Sequence, residues 1–251
     1  GSTDKTIEIA KKYGAKIFNF EWVKDFSAAR NFALSKSSGR WILYLDADER
    51  LSPQSVSELK KIITSDSKTG VYCNVNSINQ VGSESGTMQY IRLFKNSPGI
   101  EFTGKVHEQI DRSLIINGYN IVTSDIEIIH TGYSADPVIL KEKAIRNFEL
   151  LTEQYKLKPD SYTAFQLGQT LIIIDRKEES ADYFKKAADD KNFEISHRAH
   201  AYRYLAAIAL ENGNINDAEE NIQKAVSLNP EMPLVNIVAA NVYQRTGDKT
   251  K

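Results

Sequence analysis

The sequence predicts an α/β domain with a ligand site at its strand ends, followed by an all-α array of helix pairs. Two observations carry the first half. Trp41-Ile42-Leu43-Tyr44-Leu45 runs straight into Asp46-Ala47-Asp48-Glu49, and short apolar runs alternate with helical patterns around it, as βα units do. The second half begins at Asp136, where strand patterns stop and a period of about 34 residues sets in. The expected boundaries are 1–135 for the α/β domain and 136–251 for a helical linker and repeats.

Taken in order, Gly1-Ser2-Thr3-Asp4-Lys5-Thr6 opens on a turn and runs directly into a helix. The middle of a βα unit looks like this, so one or two strands and a helix of the whole protein are expected upstream. Thr3 or Asp4 caps a helix to about Tyr13, with Ile7, Ile9 and Ala10 inward, and Gly14 ends it. Ala15 to Phe20 alternates and is expected as a strand. Asp25 to Leu34 is a helix whose small face, Ser27-Ala28-Ala29, allows close packing. Arg30 sits one turn in, either as a solvated helix residue or as a guanidinium facing a diphosphate. Trp41 to Leu45 follows the turn-like Ser37-Ser38-Gly39 and is expected as a buried strand of a mostly parallel sheet.

Pro53 to Ile63 has helical spacing, and strands are expected at about 70–78, 88–95 and 121–129, with a flexible turn at Gly82-Ser83-Glu84-Ser85-Gly86. Between the last two strands, Pro98-Gly99, Gly104 and His107-Glu108 make a plausible catalytic loop. The final strand ends in His130-Thr131-Gly132-Tyr133. Residues 137–156 supply a joining helix. Tyr202, Leu205, Ala206, Ala209, Gly213, Ala218, Ile222, Ala225 and Pro230 then hold the large and small positions of a tetratricopeptide unit. Leu167-Gly168, Leu171, Phe184 and Ala187 form an earlier copy offset by four extra residues, and Ala239-Ala240, Tyr243 and Gly247 begin a third.

The chemistry follows from residue types at strand ends. Sheet ligands gather outside the carboxyl ends of strands, where Asp46 and Asp48 stand one residue apart. Paired carboxylates there can meet one hard cation and its phosphates, although Asp also serves turns and caps. Asp48 and His130 both follow strands and could meet above one sheet, giving an oxygen-rich site for Mn²⁺ or Mg²⁺. The cation would stabilise charge on a departing diphosphate. Glu108 is the candidate general base, with His107 as the alternative.

Composition excludes other classes. Lys and Arg number 32 against 33 Asp and Glu, a net charge of −1, so no overall field points to nucleic acid. No apolar run of about 18 residues spans a membrane. The one cysteine, Cys73, forbids an internal disulfide and suits a reducing, cytoplasmic setting; its apolar neighbours suggest an inert packed thiol. An aspartyl-phosphate phosphatase would need Thr where Arg50 stands, and there is no P-loop and no Gly-X-Ser-X-Gly.

Gly1-Ser2-Thr3-Asp4-Lys5-Thr6, Asp25-Phe26-Ser27-Ala28-Ala29-Arg30-Asn31 and Leu45-Asp46-Ala47-Asp48-Glu49 together resemble family 2 glycosyltransferases of the GT-A fold. Arg92-Leu93-Phe94, Gly104-Lys105-Val106-His107-Glu108 and His130-Thr131-Gly132-Tyr133 narrow the resemblance to the bacterial branch fused to tetratricopeptide repeats, which includes peptide S-glycosyltransferases of the glycocin type. The resemblance implies inverting transfer from a nucleotide-diphosphate sugar. It implies Asp46 near the ribose or sugar, Asp48 and His130 on the metal, Asp4 near the nucleotide, Arg30 near the diphosphate and Glu108 as base. The repeats would recruit a protein or peptide acceptor or mediate dimerisation. It also implies that the start of a GT-A domain, which holds the base, is absent from these residues. The rivals are a non-catalytic repeat scaffold with a degenerate front domain and a nucleotidyltransferase.

Overall fold

The computed structural model describes residues 2–78, 84–131 and 137–247. The chain divides into two compact units, Gly1–Ala135 and Asp136–Lys251, and each is described by itself.

The first unit opens with α1 (Thr6–Lys12), none of whose residues is buried. Asp4 Oδ1 accepts from the Thr6 N–H at 3.0 Å, as its place before a helix suggests. The expected strand at Ala15 to Phe20 is not formed; these residues have no regular structure and lie largely exposed. A two-residue alternation becomes a strand only where another strand pairs with it, and none does among the described residues. Asp25 caps α2 (Phe26–Ser35), its Oδ1 accepting from the Ala28 N–H at 3.0 Å and the Ser27 hydroxyl at 2.7 Å.

The sheet comprises β1 (Trp41–Leu43), β2 (Glu49–Leu51), β3 (Thr69–Ile78), β4 (Glu84–Lys95) and β5 (Asn120–His130), in the order β1-β4-β3-β5-β2. A short 3₁₀ turn (Pro53–Ser55) and α3 (Val56–Ile62) follow β2, and α4 (Asp111–Ile116) precedes β5. Of the expected turn at 82–86, residues 82 and 83 lie outside the described residues and Glu84 begins β4.

The expectation of a mostly parallel sheet with a buried strand at 41–45 is corrected here. Only β3 and β5 pair in parallel; β1 with β4, β4 with β3 and β5 with β2 are antiparallel. Strands joined by so short a connection as β3 and β4 can pair only antiparallel, and that inserts β4 between β1 and β3. β1 therefore lies at one edge of the described sheet and is only half-buried. β2 lies at the other edge. The chain from Tyr44 to Asp48 passes between the two edges, so the acids lie across one end of the sheet.

The sheet is covered on both faces. Phe94, Phe102, Ile110 and Leu114 anchor one apolar cluster. Val71, Cys73, Leu93 and Ile128 anchor the other, packed against Leu59 and Ile62 of α3. Cys73 is fully buried and burial pushes its thiol up to about 11, so it is the inert packed thiol its neighbours suggest.

The second unit is α5 (Pro137–Leu157), α6 (Ser161–Ile173), α7 (Lys177–Asp189), α8 (Ile195–Glu211), α9 (Ile215–Leu228) and α10 (Pro233–Thr246). Pairs α6/α7 and α8/α9 are the two repeat copies, and α10 begins the third. α8 has 17 residues where α6 has 13, so the extra residues between copies form one added helical turn. Asp160 caps α6 by accepting from the Thr163 N–H at 2.8 Å.

The small position of the repeat has a direct packing cause. A Cβ added at Gly168 would sit 2.7 Å from the Phe184 ring, a contact that real Cβ atoms do not make. Gly→Ala inside a helix ordinarily stabilises by about 0.5–1 kcal/mol. Gly168→Ala is expected to reverse that sign and cost about 1–3 kcal/mol through overpacking, read from the urea midpoint at unchanged slope. A stabilised variant would refute the close approach.

Candidate active site at the strand ends

The site is built by strand register. β2 and β5 pair Glu49 with His130, and the Thr131 N–H and hydroxyl both donate to the Asp48 carbonyl, at 2.9 and 3.0 Å. Residues far apart in sequence are thereby joined, and Asp48 Oδ2 lies 3.3 Å from His130 Nε2. The other ring nitrogen, Nδ1, lies 3.3 Å from the Ser77 hydroxyl, which β3 brings level with His130. A histidine held at its far nitrogen keeps its ring oriented.

Donor chemistry and spacing suit a hard divalent ion. An oxygen and a nitrogen 3.3 Å apart come close to the roughly 3 Å between neighbouring ligands of an octahedral ion bound at about 2.1 Å. Asp48 and His130 remain partly open to solvent. No third His, Cys, Asp or Glu joins them among the described residues, so further ligands would have to come from phosphate or water.

Next to this pair runs a network of alternating charge. Arg30 donates from Nη2 to Asp46 Oδ1 at 2.8 Å and from Nε to Glu108 Oε1. Burial works to lower the Arg30 pKa, but Glu108 and then Asp46 outweigh it and the net shift is upward. Arg92 reaches Glu49 Oε1 at 2.7 Å and approaches Asp46 Oδ2 at 3.9 Å. Both guanidiniums lie over the Tyr44 ring, at 5.0 and 4.8 Å from its centroid. The Tyr44 hydroxyl donates to the Ile91 carbonyl at 2.6 Å, and burial pushes its pKa well up, so the ring stays neutral beside the two cations.

α2 is fixed against the loop that carries Glu108. The Phe26 N–H donates to the Lys105 carbonyl at 3.0 Å, and the Asn31 amide bonds both the N–H and the carbonyl of Phe102, at 2.7 and 2.9 Å. The loop closes on itself through reciprocal bonds between Thr103 and Gln109, both 2.9 Å. Inside it Gly104 takes φ +103° and His107 takes φ +53°, a left-handed conformation unusual for a β-substituted residue. Desolvation lowers the His107 pKa, with Glu108 opposing.

Of the residues singled out in the sequence, Arg30, Asp46 and Glu108 form one network, and Asp48 and His130 form a pair next to it. Asp4 joins neither. Among the described residues its hydrogen bond goes to Thr6, which lowers its pKa. Glu49, Arg92 and Tyr44 carry no signal in the sequence for a place here, because nothing local in Arg92-Leu93-Phe94 says that its cation turns toward the acids. A groove of about 600 Å³ lies beside α2, near Leu34 and the Asn96-to-Glu101 turn. It includes none of these acids, and Asn96 is engaged there with Ser37 and Gly39.

Residues 1–125 match the family model for glycosyl transferase family 2. A TPR repeat-containing protein of Synechococcus elongatus is 29% identical over 236 residues, covering 90% of this chain and 57% of that protein. The SPbeta prophage-derived glycosyltransferase SunS of Bacillus subtilis is 28% identical over 221 residues, covering 86% of this chain and 52% of SunS. An uncharacterized glycosyltransferase of Rickettsia prowazekii is 24% identical, covering 61% of each. The chain thus spans little more than half the length of the first two. Among solved structures, MamA aligns over 44% of this chain at 19% identity and a TM-score of 0.37, too loose a likeness to carry an argument. The strand-end acids Asp46 and Asp48 thus lie within a glycosyl transferase family 2 domain that residues 1–125 of this chain match.

Proposed function

We propose that the protein transfers a sugar from a nucleotide-diphosphate donor to an acceptor in one inverting displacement that depends on a divalent cation. The observation that carries the reading is the approach of Asp48 Oδ2 to His130 Nε2 at 3.3 Å, next to an Asp46 held by Arg30. Asp48 and His130 would hold Mn²⁺ or Mg²⁺, which when bound supplies positive charge to the leaving diphosphate.

The chain's own residues do the rest. Asp46 accepts hydrogen bonds from the ribose or sugar. Arg30 offers the diphosphate its guanidinium. Glu108 takes the proton of the acceptor nucleophile as the bond to the anomeric carbon forms and the bond to the diphosphate breaks. A single displacement with a single base inverts the anomeric centre. Asp4, which has no link to the network among the described residues, is the weakest carry-over from the family pattern; it would have to meet the nucleotide from the turn before α1.

The helical unit gives the acceptor a place. Stacked helix pairs present an extended surface, which suits a protein or peptide acceptor, and a second copy of the chain is the competing occupant. No described helix is long and apolar enough to cross a membrane; a cytoplasmic enzyme is the reading the lone thiol supports.

Calorimetric titration of the full-length protein with UDP, GDP and TDP sugars tests this. One donor is expected to bind in Mn²⁺ and to lose at least ten-fold in affinity when chelator removes the metal. Binding of no donor by folded protein would transfer the reading to the scaffold alternative.

A further inference from the structure

We propose that Glu49 and Arg92 are positioning residues: a buried ion pair that staples β4 to β2 across the sheet and sets the turn presenting Asp46 and Asp48. The inference rests on the reading above that this turn receives donor and cation.

The third acid of the cluster behaves differently from the other two. Asp46 and Asp48 are partly open, whereas the Glu49 side chain is 2% exposed and its partner Arg92 is 9% exposed. Glu49 cannot meet a donor in solution from there. Instead its two oxygens face two parts of the chain. Oε1 accepts from Arg92 Nη2 at 2.7 Å, and Oε2 accepts from the Asp46 backbone N–H at 2.8 Å. The Glu49 N–H returns a bond to the Asp46 carbonyl at 3.0 Å. The four-residue turn is therefore closed by backbone and side chain together, with the Asp46 and Asp48 carboxylates left partly open.

Arg92 supplies the fixed end. It belongs to β4, while Glu49 begins β2, and β3 and β5 lie between them in the sheet. The pair spans strands that share no ladder hydrogen bonds. The Arg92 carbonyl also accepts from the Tyr44 N–H at 3.1 Å, so the same residue holds the chain on its way into the turn.

A stability role alone accounts poorly for the pair. Buried ion pairs are often no better than apolar residues of the same volume, because desolvation offsets attraction. Arg92 even leaves its Nε buried without a hydrogen-bond partner among the described residues. What an apolar pair could not do is bond the Asp46 N–H and lie against the Asp46 carboxylate.

The test uses full-length protein with Glu49→Gln, Arg92→Met and Arg92→Lys. Amide exchange is read at residues 46–49 and in β3 and β5, and Mn²⁺ is titrated in the presence of UDP by the loss of its free EPR signal. Glu49→Gln and Arg92→Met are expected to speed exchange of the turn at least ten-fold, leave β3 and β5 unchanged, and weaken Mn²⁺ at least ten-fold. Arg92→Lys should recover part of both, since a cation is restored without the fork. Turn exchange and Mn²⁺ affinity within two-fold of wild type in folded variants would overturn the proposal. If wild type takes up no Mn²⁺, the functional reading fails separately, and exchange at the Asp46 amide still decides the staple.

Discussion

Glu108→Gln is expected to lower turnover by about 10²–10⁴-fold, the usual contribution of a positioned base, while donor affinity stays within a few-fold of wild type. The argument is geometric. Glutamine has the same length and can still accept from Arg30 Nε, so the contact that ties the loop to α2 survives. What disappears is the capacity to take a proton. The alternative base, His107, is separated by its own variant. His107 holds a left-handed φ of +53°, which glycine adopts without strain. His107→Gly should therefore keep the loop and retain most turnover if Glu108 is the base. Initial rates at saturating donor, with donor affinity measured calorimetrically, distinguish the two. Full turnover in Glu108→Gln beside loss in His107→Gly would reverse the assignment.

Phe184→Ala is expected to cost the helical unit about 3–5 kcal/mol, the range for emptying an aromatic site in a packed core. Phe184 is fully buried. It stacks on Tyr204 at 4.4 Å with planes 6° apart and meets Phe165 edge-on at 5.9 Å. Its ring also fills the space that Gly168 leaves. One side chain thus joins α6, α7 and α8. In repeat arrays stability is the sum of unit terms and neighbour interfaces, and this substitution weakens both. The melting temperature of that unit should fall by roughly 15 °C or more. A shift of only a few degrees would mean that the neighbouring rings close over the space.

The helical unit is legible because its code is local. Small and large residues recur at fixed steps within each helix pair, and the four extra residues before the second copy appear as one added turn of α8. β3 and β5 are legible as apolar runs. Pairing direction is not, since Trp41 to Leu45 reads the same whether its neighbour runs with it or against it. Ala15 to Phe20 shows the reverse error, an alternation without a partner strand. At the site, Asp48 and His130 could be suspected because both end apolar runs. Glu49 and Arg92 could not, because burying a glutamate is decided by a partner that only the sheet order brings near. α4 is not legible because six residues after a turn-rich loop carry too little periodicity.

The passage of the acidic turn from one edge strand to the other has a further consequence. A long exposed edge strand is a template on which foreign strands polymerise, and proteins avoid this by keeping edges short or interrupted. Here both edge strands of the described sheet, β1 and β2, have three residues each. The chain leaves the ladder on one side to form the turn and rejoins it on the other only briefly. Devoting the stretch between the edges to a charged turn keeps each edge strand to three residues, so the same residues that present the acids also keep β1 and β2 themselves too short to template a foreign strand.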